Sequence, residues 1–157
     1  MVVVIIIGIL STLAYSSLTE LIFINRAKET AQTIRTFTER ASMDAKRMNK
    51  PVRIRIVDKE IIADTNVTGT TYKTISSEIL SQGFFASCAS PVDGFNTNAC
   101  FNDGTTSEIR IGVSGITKEG YFAACFKDYC GGTAKQKNEN SFKAYIKKPK
   151  NTNWEVL

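Results

Sequence analysis

The chain has 157 residues, enough for one domain and an appendage. It contains no histidine, which removes the commonest general base near neutral pH and excludes Ser–His and Cys–His nucleophile pairs, and it has no glycine-rich phosphate loop; neither enzyme nor cofactor chemistry is expected. The net charge of +5 is uneven: residues 1–117 hold 12 basic and 11 acidic side chains, and residues 118–157 hold eight lysines against four acids.

From Met1 to Ala14 only Gly8, Ser11 and Thr12 interrupt an uncharged apolar run. Such a run is apolar on all sides, as in a membrane span or a bundle centre. Fourteen residues are short for a bilayer, which needs about 20, but Leu18, Leu21, Ile22, Phe23 and Ile24 extend the apolar character. No proline and one glycine occur before Asn49, so one helix of about 70 Å is expected. A compact domain of the remaining residues has a radius of gyration of about 13 Å, so part of that helix needs another solvent or a partner.

From Ile24 the apolar pattern becomes a heptad: Ile24, Ala27, Ala31, Ile34, Thr38, Ala41, Ala45, Met48. The stripe is narrow and small, which suits close packing on a sheet. Charged residues fill the other faces, with Arg35–Glu39 and Arg40–Asp44 at i,i+4 spacing. Asn49-Lys50-Pro51 ends the helix.

Val52 to Val57 alternates as a half-buried strand, Asp58-Lys59 reads as a turn, and Glu60 to Ala63 as a returning strand. The carboxylates of Asp58 and Glu60 fit a turn and a strand edge rather than an acid–base pair. Tyr72 to Ile75 is a further strand, and residues 87–107, rich in Ser, Asn, Asp, Gly and Thr, read as a long loop. Glu108 to Val113, Ser114-Gly115 and Ile116 read as a hairpin. Tyr121 to Phe126 and Phe142 to Ile146 complete the strands, with Gly131-Gly132 as a turn. The plan is α+β: a long N-terminal helix, apolar in its first half and amphipathic in its second, packed on an antiparallel sheet.

The four cysteines, Cys88, Cys100, Cys125 and Cys130, all lie in the second half. Their even number in loop-rich sequence beside an apolar segment suggests disulfides formed outside the cytoplasm. A zinc site fits poorly without histidine or a C-x-x-C pair, and no metal is expected. Local loops favour the sequential pairing Cys88–Cys100 and Cys125–Cys130, in which the first bridge closes a loop around Asp93-Gly94. The rival pairing joins Cys88 to Cys125 and Cys100 to Cys130.

Met-Val-Val-Val-Ile-Ile-Ile-Gly-Ile-Leu at residues 1–10 resembles the mature N-terminal helix of type IV pilins and type II secretion pseudopilins. In that family a peptidase cuts after glycine and leaves Phe-Thr-Leu-Ile-Glu ahead of such a run, and the new amine is usually methylated. This sequence begins past that point. The passage Ala41 to Ile56, with Pro51-Val52 opening the sheet, looks like the minor-pilin and pseudopilin branch typified by the type II secretion H component. Many pilins carry a kinking proline near Ser16-Ser17; this chain does not, so no kink is implied.

The resemblance implies a pilin-like fold divided into a membrane-spanning and filament-core segment at 1–24 and a globular domain at 25–157. The domain comprises an amphipathic helix at 25–49 and a disulfide-bonded β-domain at 51–157. Val2, Val3, Val4, Ile5, Ile6, Ile7, Ile9, Leu10 and Leu13 would form the filament core. The implied partners are further copies in a helical filament, the bacterial inner membrane before assembly, and the assembly machinery. The implied role is structural, in an extracellular filament for adhesion or motility; a minor pilin or a periplasmic pseudopilus subunit is the alternative. Both lipid and bundle core accept an all-round apolar helix. Two other readings of residues 1–14 stand beside it: a signal peptide with Ala14-Tyr15-Ser16 as cleavage site, though without a basic start, and a plain single-span anchor.

The basic C-terminal quarter is a candidate surface for DNA. Lys143, Lys147, Lys148 and Lys150 lie near Tyr145 and Trp154, so cations and stacking rings would interleave. A solvated lysine-rich surface is the plainer reading.

Overall fold

A single helix, α1, runs from Val2 to Met48 in the computed structural model. The structure describes residues 2–68, 71–95, 99–101, 109–112, 119–136, 139 and 141–157, with residues 2–17, 68 and 109–110 described by backbone alone. At 1.5 Å per residue α1 is about 70 Å long. Its end follows from local chemistry. Asn49 takes a left-handed conformation with φ 51°, which asparagine tolerates better than most residues. The Asn49 N–H then donates to the Lys46 carbonyl at 3.3 Å and the Lys50 N–H to the Ala45 carbonyl at 3.2 Å. These two bonds form a Schellman cap, and Pro51 prevents the helix from resuming.

The amphipathic half of α1 buries the expected stripe. Ala27, Ala31, Ile34, Thr38, Ala41 and Ala45 are all buried, and Ile24 and Met48 pack partly at its ends. Thr30 and Phe37 are buried as well. The stripe is therefore wider than a two-position heptad and follows the i, i+3, i+4, i+7 face of a helix lying on a sheet. The Thr38 hydroxyl donates back to the Ile34 carbonyl at 2.8 Å, so its burial leaves no orphan donor.

Among the described residues nine strands follow: β1 Val52–Val57, β2 Glu60–Thr68, β3 Thr71–Ile79, β4 Phe85–Ala86, β5 Ile109–Ile111, β6 Gly120–Phe126, β7 Tyr129–Lys135, β8 Lys143–Lys147 and β9 Glu155–Val156. They form two sheets rather than the single sheet expected. One has the order β3-β2-β1-β5 and the other β4-β6-β7-β8-β9, with every strand pair antiparallel. The strand expected at Glu60 to Ala63 continues to Thr68 and its partner runs to Ile79. Thr65, Val67 and Thr68 are β-branched and extend the ladder beyond the apolar residues. Of the hairpin expected over 108–116, Ile109–Ile111 forms β5 beside β1; residues 108 and 113–116 lie outside the described residues.

Both two-residue hairpins place a non-glycine residue in the left-handed region: Asp58 at φ 53° between β1 and β2, and Lys127 at φ 53° between β6 and β7. A positive φ at the first turn position matches the twist of paired strands.

The five-stranded sheet is covered on both faces. Phe122, Ala124, Ala144 and Ile146 join the core beneath α1. Tyr121, Ala123, Cys130, Ala134 and Tyr145 alternate with them and face a second core. Val92 and Cys100 from the 87–101 segment and Trp154 from the C-terminus close that core. A strand buried on both sides loses hydrophobic alternation, and β6 reads Gly-Tyr-Phe-Ala-Ala-Cys-Phe with its first five residues buried.

Gly131-Gly132 is not a turn but the interior of β7. A Cβ on Gly131 would lie 2.2 Å from the Ala27 carbonyl oxygen and 3.0 Å from the Ala31 nitrogen of α1. Helix and strand backbones touch here, across two alanines and a glycine, so the pair serves close approach rather than chain reversal.

Candidate functional site

The sequence points to two regions: the apolar part of α1 and the basic end of the chain. On α1 the boundary between covered and uncovered helix falls at Phe23. Its ring lies 4.9 Å from that of Phe126 and 5.4 Å from that of Tyr129, centroid to centroid. These two residues flank the β6–β7 turn, so the turn grips the helix from one side. Before this clasp Leu18, Leu21 and Ile22 are 56%, 54% and 43% exposed. Their i, i+3, i+4 spacing puts them on one helix face. Three large apolar side chains exposed together make a patch of the kind that marks a docking surface. Burial pushes the Tyr129 hydroxyl pKa up, and nearby Glu20 and Asp128 add to the shift.

The filament-core residues expected from the sequence, Val2, Val3, Val4, Ile5, Ile6, Ile7, Ile9, Leu10 and Leu13, sit on the helical backbone of α1, but their side chains lie outside the described residues. Among the described residues no helix is long and apolar enough to cross a membrane.

The C-terminal lysines do not form the interleaved surface expected of them. Lys143, Tyr145 and Lys147 share one face of β8, but Tyr145 and Trp154 are only 8% and 7% exposed and belong to the second core. Both rings are buried with Val92 and Cys100, so they offer no stacking platform. The Lys143 ammonium pairs with Glu139, whose hydrogen bond raises its pKa. The Lys147 ammonium donates to the Ser90 hydroxyl at 2.5 Å. Lys148 pairs with Glu155 at 2.8 Å, a hydrogen bond that holds the Glu155 carboxyl below its ordinary range. Lys150 is exposed on the turn after β8.

Lys147 and Lys148 meet a third lysine that the sequence did not group with them. Lys127, from the β6–β7 turn, lines with them a surface cleft of about 390 Å³. Its walls also carry Ser87, Ser90, Asn151 and Thr152, and the Cys125–Cys130 disulfide borders it. Two disulfides are formed, Cys88–Cys100 and Cys125–Cys130, in the sequential connectivity. Cys125 and Cys130 are directly opposed in the β6–β7 ladder, one pair in from the turn.

A third charged cluster is structural. The Asp64 carboxylate is 1% exposed. It accepts hydrogen bonds from Arg53 at 3.0 Å, Arg55 at 2.9 Å and Thr74 at 2.9 Å. The Arg53 guanidinium lies 3.7 Å from the Tyr72 ring centroid. Two donors from β1 and one from β3 satisfy this buried charge on β2 and tie the three strands together.

Compared with known proteins, the chain matches no protein family, no curated protein and no solved structure.

Proposed function

We propose that this protein is a structural subunit of a type IV pilin-like extracellular filament, assembled by packing the apolar half of α1 against the same segment of other copies. The observation that carries the reading is the exposed face of Leu18, Leu21 and Ile22 immediately before the Phe23 clasp. This face continues an uncharged run that extends back to the start of the helix. The chain's own domain takes up the stripe from Ala27 to Ala45 and leaves Leu18, Leu21 and Ile22 exposed. A second copy of the same helix offers a surface of the same chemistry, and repetition of such a contact builds a fibre. The resemblance of residues 1–10 to mature pilin helices, and the disulfide-bonded β-domain outside the helix, support the same reading.

The test uses the full chain in its producing cell. Sheared surface material is imaged by electron microscopy and its main band identified by mass spectrometry. Filaments built of this chain are expected, and Leu21→Glu should abolish them while leaving the domain folded. Sheared material without this chain, or filaments unchanged by Leu21→Glu, would overturn the proposal. A version lacking residues 1–24 should remain a soluble monomer.

A further inference from the structure

We propose that the cleft between the β6–β7 turn and the segment following β8 binds an acidic saccharide of one or two rings, through its carboxylate or sulfate group. The inference concerns the β-domain alone and does not rest on how α1 is used. The cleft's volume of about 390 Å³ lies within the usual range of small-ligand sites, about 300–1,000 Å³.

Charge selects the ligand's sign. Among the described residues, Lys127, Lys147 and Lys148 line the cleft against one carboxylate, that of Asp128. Two of the lysines are held in place by neighbours. Lys147 gives one ammonium hydrogen to Ser90 and Lys148 pairs with Glu155. An ammonium has three donors, so each retains capacity for an incoming oxyanion while its side chain is already partly ordered. Pre-positioned donors reduce the entropy lost on binding.

The rest of the wall selects the scaffold. Ser90, Asn151 and Thr152 bring hydroxyl and amide groups; Asn151 donates to Glu155 and Thr152 to Asn153, which leaves the Thr152 oxygen as an acceptor and the Ser90 hydrogen as a donor for sugar hydroxyls. Among the described residues no aromatic side chain lines the cleft. Nucleobases bind single-strand proteins largely by stacking on exposed rings, and the nearby rings of Tyr145 and Trp154 are buried. The observations therefore favour a small acidic sugar over a nucleic acid strand. The Cys125–Cys130 bridge fixes the hairpin that carries Lys127, so the wall is covalently braced.

The experiment is titration of the full-length protein, in detergent micelles, with sialyllactose, sulfated lactose, lactose and inorganic sulfate, followed by ligand-observed NMR and calorimetry. At least one acidic sugar should bind, with lactose and inorganic sulfate weaker by about tenfold or more. Preference between the two acidic sugars assigns the anion as carboxylate or sulfate. Lys127→Gln and Lys147→Gln should each weaken binding several-fold without shifting the melting temperature, Lys147→Arg should restore most of it, and Lys150→Gln should leave it unchanged. Equal binding of lactose would remove the role of charge. Equal binding of inorganic sulfate would reduce the cleft to a bare anion site. Tighter binding of a short single-stranded oligonucleotide, lost in the same variants, would assign it to nucleic acid instead, and no binding by either acidic sugar would overturn the proposal outright.

Discussion

Asp93 and Trp154 hold the long loop to the C-terminus, with Trp154 as donor in two hydrogen bonds. The Asp93 carboxylate accepts the backbone N–H of Trp154 at 2.9 Å, and two residues earlier the Pro91 carbonyl accepts the indole Nε1–H at 2.9 Å. The ring between these bonds is 7% exposed and packs in the second core. Trp154→Phe keeps a ring but removes the Nε1 donor, leaving the Pro91 carbonyl unpaired. A loss of about 1–2 kcal/mol is expected from urea unfolding. Trp154→Ala should cost more, about 3–5 kcal/mol, and should make the 87–101 segment the first site of proteolysis.

Gly131→Ala should be among the most damaging single-methyl additions in this fold. The new Cβ would meet helix backbone at 2.2 Å, which no rotamer change relieves. A loss of about 2–3 kcal/mol is expected from overpacking. Gly94→Ala is the informative comparison: its Cβ meets nothing within 4 Å, but the residue has φ 86°, so only backbone strain of about 1 kcal/mol applies. Thermal melts of the two variants separate steric from conformational cost, and equal losses would reject the close approach.

Ala31→Arg and Ala41→Arg place a charge where exposure is 0% and 2%. A loss of several kcal/mol is expected at each position, with Lys28→Ala, on the exposed face, within about 0.5 kcal/mol of wild type. Chemical denaturation of the three variants checks which face of α1 meets the sheets.

Acid should weaken the four-stranded sheet through Asp64. Burial alone would raise its pKa, but the hydrogen bonds from Arg53, Arg55 and Thr74 outweigh this and hold it below the ordinary 3.8. A carboxyl with a depressed folded-state pKa contributes fully above its unfolded value, and the contribution is lost as pH falls through the folded value. Urea midpoints measured from neutral pH downward should therefore drop below about pH 4. Asp64→Asn should cost about 3 kcal/mol at neutral pH by stranding the arginines, and its midpoint should fall less steeply in acid. Parallel acid limbs would exclude Asp64 as the responsible group.

Opening the Cys88–Cys100 bridge by substituting both residues with serine should lower stability by about 3 kcal/mol in the chain-entropy account of a short closed loop. Calorimetry on the double variant measures it. The second core should loosen before the first, because Cys100 and Cys88 pack in the second.

The helix face, its cap and the first hairpin were legible because each is written in local residues. The three-four spacing from Ala27 to Ala45 specifies a face, Asn49-Lys50-Pro51 specifies a stop, and Val-Arg-Ile-Arg-Ile specifies one buried side of a strand. What escaped depends on distant packing. A glycine pair in a polar neighbourhood looks like a turn, and only the arrival of Ala27 and Ala31 makes it strand interior. Likewise Lys143, Tyr145 and Lys147 do share a face of β8, yet Tyr145 is buried in a core shared with Val92, about 50 residues earlier in the chain. The cleft joins Lys127, Lys147 and Ser90 from three segments, and no spacing in the sequence brings those together.

The placement of the second disulfide has a mechanical consequence. Phe126 and Tyr129, which clasp Phe23, sit at the tip of the β6–β7 hairpin, and Cys125–Cys130 bridges its strands immediately behind them. A pull along α1 loads this tip first. Without the bridge, the hairpin would peel open one ladder bond at a time, beginning under the clasp. With it, the tip behaves as a closed ring, and tension passes on to the packed contact between α1 and β7, where Gly131 lies against the backbone of Ala27 and Ala31.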